Sequence, residues 1–208
     1  MSLFITFEGG EGSGKSTQAA ALYKRLQEQA ILSVLTREPG GTPLGEKIAR
    51  LLKWPEGAVI VPLAELLLFN ASRAELVAEV IRPSLEEGKV VICDRYTDST
   101  IAYQSYGRGL PLEIVMRLNQ TATNGLKPVL TVLADVPVEV GLARKRAERS
   151  DRFQQEVVAF HRKVRDGFLR IARGEPDRFL VIDATKSQEE IAQIVWQKVA
   201  GLLSLKNG

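Results

Sequence analysis

The chain contains a single cysteine and a single histidine. One cysteine excludes an internal disulfide and fits a reducing compartment. The lone histidine, His161, falls in a charged helical stretch and reads as exposed rather than catalytic. No apolar run reaches the length of a membrane span. The opening residues, MSLFITFEGG, lack the basic start, long apolar core and small-residue cleavage site of a secretory signal. A soluble protein of the cytoplasm, with no membrane partner, is the expectation. Charge of one sign is also missing: 28 basic against 25 acidic residues leave a net charge of only +3, which does not mark a general nucleic-acid binder. There is no internal repeat, low-complexity tract or linker, so residues 1–208 read as a single domain.

What is present is a patterned core. Forty-five per cent hydrophobic residues suffice to bury one and argue against disorder. Short apolar runs alternate with amphipathic stretches, the signature of a parallel sheet covered by helices. Strands are predicted at 3–7, 33–36, 90–93, 129–134 and 179–183. Helices are predicted at 15–29, from Thr42-Pro43 onward, at 62–87 with a bend near Pro83, and at 112–123, 138–148, 154–173 and 188–203. Thr42 reads as an N-cap with Pro43 at the first helical position. Five strands with intervening helices make an α/β, doubly wound sheet, whose ligands gather at the carboxyl ends of the strands.

Gly9-Gly10-Glu11-Gly12-Ser13-Gly14-Lys15-Ser16 matches G-x-x-x-x-G-K-[ST] between a buried strand and a helix, the P-loop context. Its glycines let backbone N–H groups turn inward onto phosphate oxygens, and the following helix adds its positive end. Lys15 reaches the β/γ-phosphates and Ser16 offers a hydroxyl to Mg²⁺. Residues 9–17, Thr17 included, form the expected ATP-binding set. A P-loop alone does not separate kinases from ATPases or switches, so a second site must be sought.

Arg37, in Arg37-Glu38-Pro39-Gly40-Gly41-Thr42, lies at a strand's carboxyl end and can grip an anionic acceptor; a solvated turn is the plainer alternative. Asp94 ends the third strand where a P-loop enzyme places the acid that helps hold Mg²⁺, and Arg95 beside it can neutralise phosphate charge. Phe69 and Arg73, four apart, share a helix face suited to stacking on and hydrogen-bonding a nucleobase. Thr100, Tyr103 and Gln104 share another; each cluster alone fits core packing or a solvated face as well. The basic stretch with Arg144, Arg146, Arg149 and Arg152 reads as a closing lid over about 144–154, against a solvated helix face. Cys93, Trp54 and Trp196 read as packing residues. The apolar run 63–69, with Glu65 its only polar member before Phe69, is too hydrophobic for a one-sided surface helix.

Taken in order, these residues resemble a bacterial thymidylate kinase. The marks are Phe7-Glu8 with the P-loop and Ser16-Thr17-Gln18, then Arg37 to Thr42, Phe69-Asn70-Ala71-Ser72-Arg73, Asp94-Arg95-Tyr96 through Tyr103-Gln104, Asp151-Arg152-Phe153 and Ile182-Asp183-Ala184. The resemblance implies a P-loop nucleoside monophosphate kinase fold with a five-stranded parallel sheet and a short lid. It implies ATP and dTMP as substrates, Mg²⁺ as cofactor and a homodimer formed through helices. It also implies roles: Phe69 stacked on thymine, Arg73 on its O4, Thr100 and Gln104 at the base edge, and Tyr103 under the deoxyribose. Glu11 would approach the 3′-hydroxyl, and Arg37 and Arg95 would hold the acceptor phosphate.

Members divide by whether the catalytic arginine sits in the P-loop or the lid. With Gly12 after Glu11, this chain resembles the lid type, with Arg144, Arg146, Arg149 and Arg152 unranked. Many relatives carry Asp-Arg-x-Glu at the lid's end; here Gln154 stands in the last place. Two rival readings remain at this point. A P-loop nucleoside kinase would need Glu8 or Glu38 as base, and a nucleotide-binding regulatory ATPase would leave the second site unexplained.

Overall fold

The fold was described from a computed structural model, covering residues 2–55, 57, 59–145 and 151–205. The sheet has five parallel strands in the order β2-β3-β1-β4-β5: β1 (Leu3–Glu8), β2 (Ser33–Arg37), β3 (Val90–Asp94), β4 (Leu130–Asp135) and β5 (Phe179–Asp183). β1 is central and every one of its residues is buried. Its alternate side chains serve two layers. Leu3, Ile5 and Phe7 pack with α1 (Lys15–Glu28) and α9 (Gln188–Leu205). Phe4 faces the other way, onto Leu76, Val77, Ile81 and Tyr96. The change of strand order between β1 and its neighbours β3 and β4 opens a crevice at the strands' carboxyl ends.

α2 (Pro43–Lys53) starts as its sequence predicts: the Thr42 side chain accepts from the Gly45 N–H at 2.9 Å, with Pro43 at the first position. The predicted 62–87 helix is continuous but irregular. α3 (Pro62–Leu76) passes through a π-helical stretch, Val77–Ile81, into α4 (Arg82–Glu86). The disturbance lies one turn before Pro83. Pro83 has no N–H to give to a carbonyl four residues earlier and its ring presses on that carbonyl; the Arg82 N–H reaches back to Val77 O across the widened turn. A second π-helical stretch, Ile101–Gly107, continues α5 (Thr97–Thr100). It carries Tyr103 and Gln104, and packs on α8 (Val158–Gly174).

Several expectations are corrected. α8 starts at Val158, not 154, because Asp151 Oδ1 accepts from the Phe153 and Gln154 N–H groups at 3.0 and 3.1 Å and holds them in a turn. His161 is buried rather than exposed, at 5 %, and burial pushes its pKa down. Trp54 is 40 % exposed rather than packed inside. α6 (Leu112–Thr123) matches its prediction. α7 (Val138–Lys145) is described to Lys145, and the rest of its predicted span lies outside the described residues.

Candidate active site

β1 delivers the chain to the phosphate loop and α1 carries it away. Between them Gly9, Gly12 and Gly14 take φ of 144°, 65° and 81°, a path open to glycine. Gly14 caps α1, and its carbonyl accepts from the Gln18 N–H at 3.0 Å. Lys15 is buried across the loop, with Nζ donating to Gly10 O at 3.2 Å. Burial lowers its pKa, and the Arg95 charge acts in the same direction. At Gly12 a methyl group would overlap the backbone carbonyl of Gly141 in α7, and a methyl at Gly141 would overlap Glu11 O. Loop and helix therefore touch backbone to backbone. No arginine fits at position 12, because the backbone of α7 at Gly141 occupies that space.

That contact positions Arg144, one turn past Gly141. Its Nη1 donates to Gly12 O at 3.3 Å and to Ala184 O at 3.1 Å, and it lines the main cavity with Lys145. Arg152 does not. Its guanidinium turns to Glu65 at 2.6 Å, to Leu52 O at 3.2 Å and over the Phe153 ring at 4.6 Å. Arg146 and Arg149 lie outside the described residues. Arg144 and Arg152, equivalent in sequence, thus separate in space.

The main cavity has a volume of about 780 Å³, within the usual range for small-molecule sites. It runs without a break from residues 11–18 of the phosphate loop, past Arg37, Asp94 and Arg95, to Phe69, Arg73, Thr100, Tyr103 and Gln104. Arg95 stands at its centre, at the end of β3, with φ of 71°. Its Nη1 donates to Gly9 O (3.2 Å) and Ser99 Oγ (3.1 Å), and its Nη2 pairs with Glu11 (2.8 Å) beside the Tyr103 hydroxyl (3.3 Å). Burial alone would raise the Glu11 pKa, but the charges of Lys15 and Arg95 and the Tyr103 hydroxyl outweigh it and hold it down at about 2. Asp94 Oδ1 is buried without a hydrogen-bond partner among the described residues.

Arg37 lines the same cavity at its exposed side, in a bidentate pair with Glu46 of α2 at 2.8 and 2.7 Å. Both acids that a nucleoside kinase would use as base hold partners inside the protein, although Glu38 lines the cavity with its Oε1 unpaired among the described residues. Glu8 accepts from Tyr96 N, Ser99 N and Ser99 Oγ at 2.8, 3.2 and 2.6 Å, and burial with the nearby Asp98 charge raises its pKa to about 8. Glu38 Oε2 pairs with Arg73.

Arg73 is 1 % exposed. Nε and Nη2 reach Glu38 Oε2 at 2.8 and 2.7 Å, Nη2 also donates to Tyr96 O at 3.2 Å, and Nη1 donates to Asn119 Oδ1 at 2.8 Å and Thr100 Oγ1 at 3.2 Å. Nη1 also donates to Asn70 Oδ1 at 3.4 Å, so every guanidinium nitrogen has a partner. The Phe69/Arg73 pair is therefore no solvated face but the edge of a buried polar network. Phe69 lies beside it with its ring 5.9 Å from Phe153. Sequence reasoning missed Asn119, Glu38 as a partner of Arg73, and Glu65. For Glu65 there was a signal, an acid inside an apolar run; Asn119 offered none.

A sequence profile described as thymidylate kinase matches residues 7–195. The thymidylate kinase of Dehalococcoides mccartyi is 56 % identical over 205 residues, covering 99 % of both chains. That of a Synechococcus strain is 52 % identical over 203 residues, covering 98 % of this chain and 97 % of its own. The crystal structure of thymidylate kinase from Ehrlichia chaffeensis superposes with a TM-score of 0.76 at 39 % identity, covering 93 % of this chain and 98 % of that one.

Proposed function

The chain belongs to the thymidylate kinase family and phosphorylates dTMP at the expense of ATP, and from that premise we propose how its own residues divide the work. The bond from the γ-phosphorus to the β–γ bridging oxygen breaks, a bond from that phosphorus to a dTMP phosphate oxygen forms, and ADP and dTDP leave. The nucleophile's second pKa is near ~6, so it is already ionised at neutral pH and no general base is needed. The obstacle is repulsion between two polyanions, about 1 kcal/mol per charge pair at 4 Å in water and more in a dry site. The residues of this chain answer it with cations and fixed dipoles.

The observation that carries this reading is the unbroken cavity, with a phosphate cradle at one end, an aromatic ring and amide at the other, and Arg95 between. ATP phosphates rest on the backbone of residues 9–17 with Lys15. Arg95 and Arg37 hold the acceptor phosphate, Arg37 exchanging its exposed partner Glu46 at small loss, since such pairs are worth about 0–1 kcal/mol. Phe69 stacks on thymine, with Thr100 and Gln104 at the base edge. Tyr103 lies under the sugar and Glu11 near its 3′-hydroxyl. Thymine O4 shares an Nη1 N–H of Arg73, whose longest bond, to Asn70 Oδ1 at 3.4 Å, is the weakest held.

Ser16 and Asp94, whose Oδ1 has no hydrogen-bond partner among the described residues, fit a Mg²⁺ ion. Among the described residues no group of three His, Cys, Asp or Glu side chains is placed to hold a metal ion; phosphates and water would supply most ligands of a Mg²⁺ bound here. When bound, the ion neutralises charge on the phosphates. Arg144 is the lid cation that meets the transferred phosphoryl. A coupled assay should show ADP formation that depends on dTMP. Arg144→Ala should lower kcat by about 10²–10³, and Arg152→Ala at least tenfold less. The reverse order would remove Arg144 from the role.

A homodimer is part of the same reading. Leu63 and Leu67 of α3 are each 48 % exposed, and Leu44 and Leu51 of α2 and Ile114 of α6 are exposed on the helices that flank α3. A second copy covers such an apolar face. Sedimentation at micromolar concentration should give a dimer, and Leu67→Glu a monomer; a monomeric parent would end the proposal. No helix among the described residues is long and apolar enough to cross a membrane, and a cytoplasmic place belongs to this proposal.

A further inference from the structure

Glu65 is 0 % exposed and belongs to no phosphate site. It sits on the first turn of α3, one turn before Phe69. Its Oε1 accepts from Gln104 Nε2 at 2.8 Å and from Arg108 Nε at 3.2 Å; its Oε2 pairs with Arg152 at 2.6 Å. Arg108 is held in turn by Glu156 at 2.6 Å. A buried carboxylate is retained at a cost unless it is paired, and here two guanidiniums pair it. Gln104, Arg108 and Arg152 all present N–H groups to its two oxygens, which accept. The Gln104 amide therefore has one orientation: the NH₂ end faces Glu65, and Oε1 is left as an acceptor toward the cavity that Gln104 lines.

We propose that Glu65 is a positioning residue for base selection: it locks the Gln104 carboxamide with its oxygen toward the base, so the site accepts a pyrimidine with an N3–H and rejects one with an N3 lone pair. This deepens the reading of Gln104 as a base-edge residue and rests on it. Thymine and uracil carry a donor at N3; cytosine presents an acceptor there, which would face another acceptor. Sites built on such a hydrogen bond discriminate far more strongly than apolar pockets do. The same carboxylate holds Arg152, so the chain around Arg152 is anchored to the residue that orients the base reader.

Glu65→Gln tests this, because a glutamine at 65 can donate as well as accept and frees the Gln104 amide to turn over. The ratio of kcat/KM for dTMP to that for dCMP should fall at least tenfold, mainly through a higher KM for dTMP and a gain for dCMP. A purely structural role, acting through Arg152, would lower both substrates together and leave the ratio unchanged; that result overturns the proposal. Gln104→Ala distinguishes the two levels: an unchanged ratio there removes Gln104 from base reading itself, whereas a changed ratio there with an unchanged one in Glu65→Gln overturns only the role of Glu65. Should Glu65→Gln not fold, the unaltered enzyme still decides. The Gln104 carboxamide protons, identified by their loss in Gln104→Ala spectra, should exchange slowly with solvent in the dTMP complex. Exchange at the rate of a free amide contradicts the lock.

Discussion

Replacing Arg95 by alanine should lower kcat/KM for dTMP by about a thousandfold, or ~4 kcal/mol of transition-state stabilisation, the upper end of the effect of removing one preorganised donor from a charged reacting group. Two charges change at once. The guanidinium that faces the acceptor phosphate is lost, and Glu11, whose carboxylate is held at a pKa of about 2 partly by Arg95, is left nearer that phosphate with less to neutralise it. Arg95→Lys keeps the charge but not the fork that spans Gly9 O, Ser99 and Glu11, and should fall between the parent and the alanine variant. Arg95→Gly removes the same group while suiting the φ of 71°; equal losses in the glycine and alanine variants assign the effect to charge and not to backbone. The KM for ATP should move little, since the phosphate loop and Lys15 are untouched. A loss of threefold or less in steady-state kinetics would be incompatible with a phosphate role.

The largest loss of stability should come from splitting the Glu38–Arg73 pair. Both side chains are almost wholly buried, at 3 % and 1 % exposure. Glu38→Ala leaves a buried guanidinium short of its carboxylate, and Arg73→Ala leaves a buried carboxylate and strands Asn119, Thr100 and the Tyr96 carbonyl. Breaking such a pair costs about 3–5 kcal/mol. Urea denaturation of each single variant should show that loss, and the double replacement Glu38→Ala with Arg73→Ala should lose less than the two singles summed, because neither charge is then left alone. Full additivity would mean that the pair is not coupled. Kinetics of Arg73→Ala must be read below its melting range, where a raised KM for dTMP reports the base contact rather than partial unfolding.

Much of the site was legible because it is written in contiguous residues. The glycines and Lys15 of the phosphate loop, the Thr42-Pro43 helix start and Asp94-Arg95 at a strand's end are each governed by backbone geometry within a few positions. Phe69 with Arg73, and Thr100 with Tyr103 and Gln104, were recognisable as groups sharing a face. That they face one cavity is a matter of packing, since α3 and the π-helical stretch after α5 come together across the sheet's end. The extent of the π-helical turns, the turn at Asp151 that delays α8 and the burial of His161 left no periodic trace, because each depends on a partner or neighbour rather than on spacing.

The missing arginine of the phosphate loop shows where the division falls. From the sequence alone it followed that position 12 carries no cation and that residues 144–152 hold several, because composition and motif register are properties of the chain itself. Only the tertiary structure decided why and which. Gly12 meets the backbone of Gly141, so no side chain fits there; that same contact brings Arg144 to the phosphate loop, while Arg152 is drawn to the buried carboxylate of Glu65. The physical reason is that a guanidinium is positioned by the nearest acceptors that desolvation leaves it, and the residues supplying those acceptors lie scores of positions away in the chain.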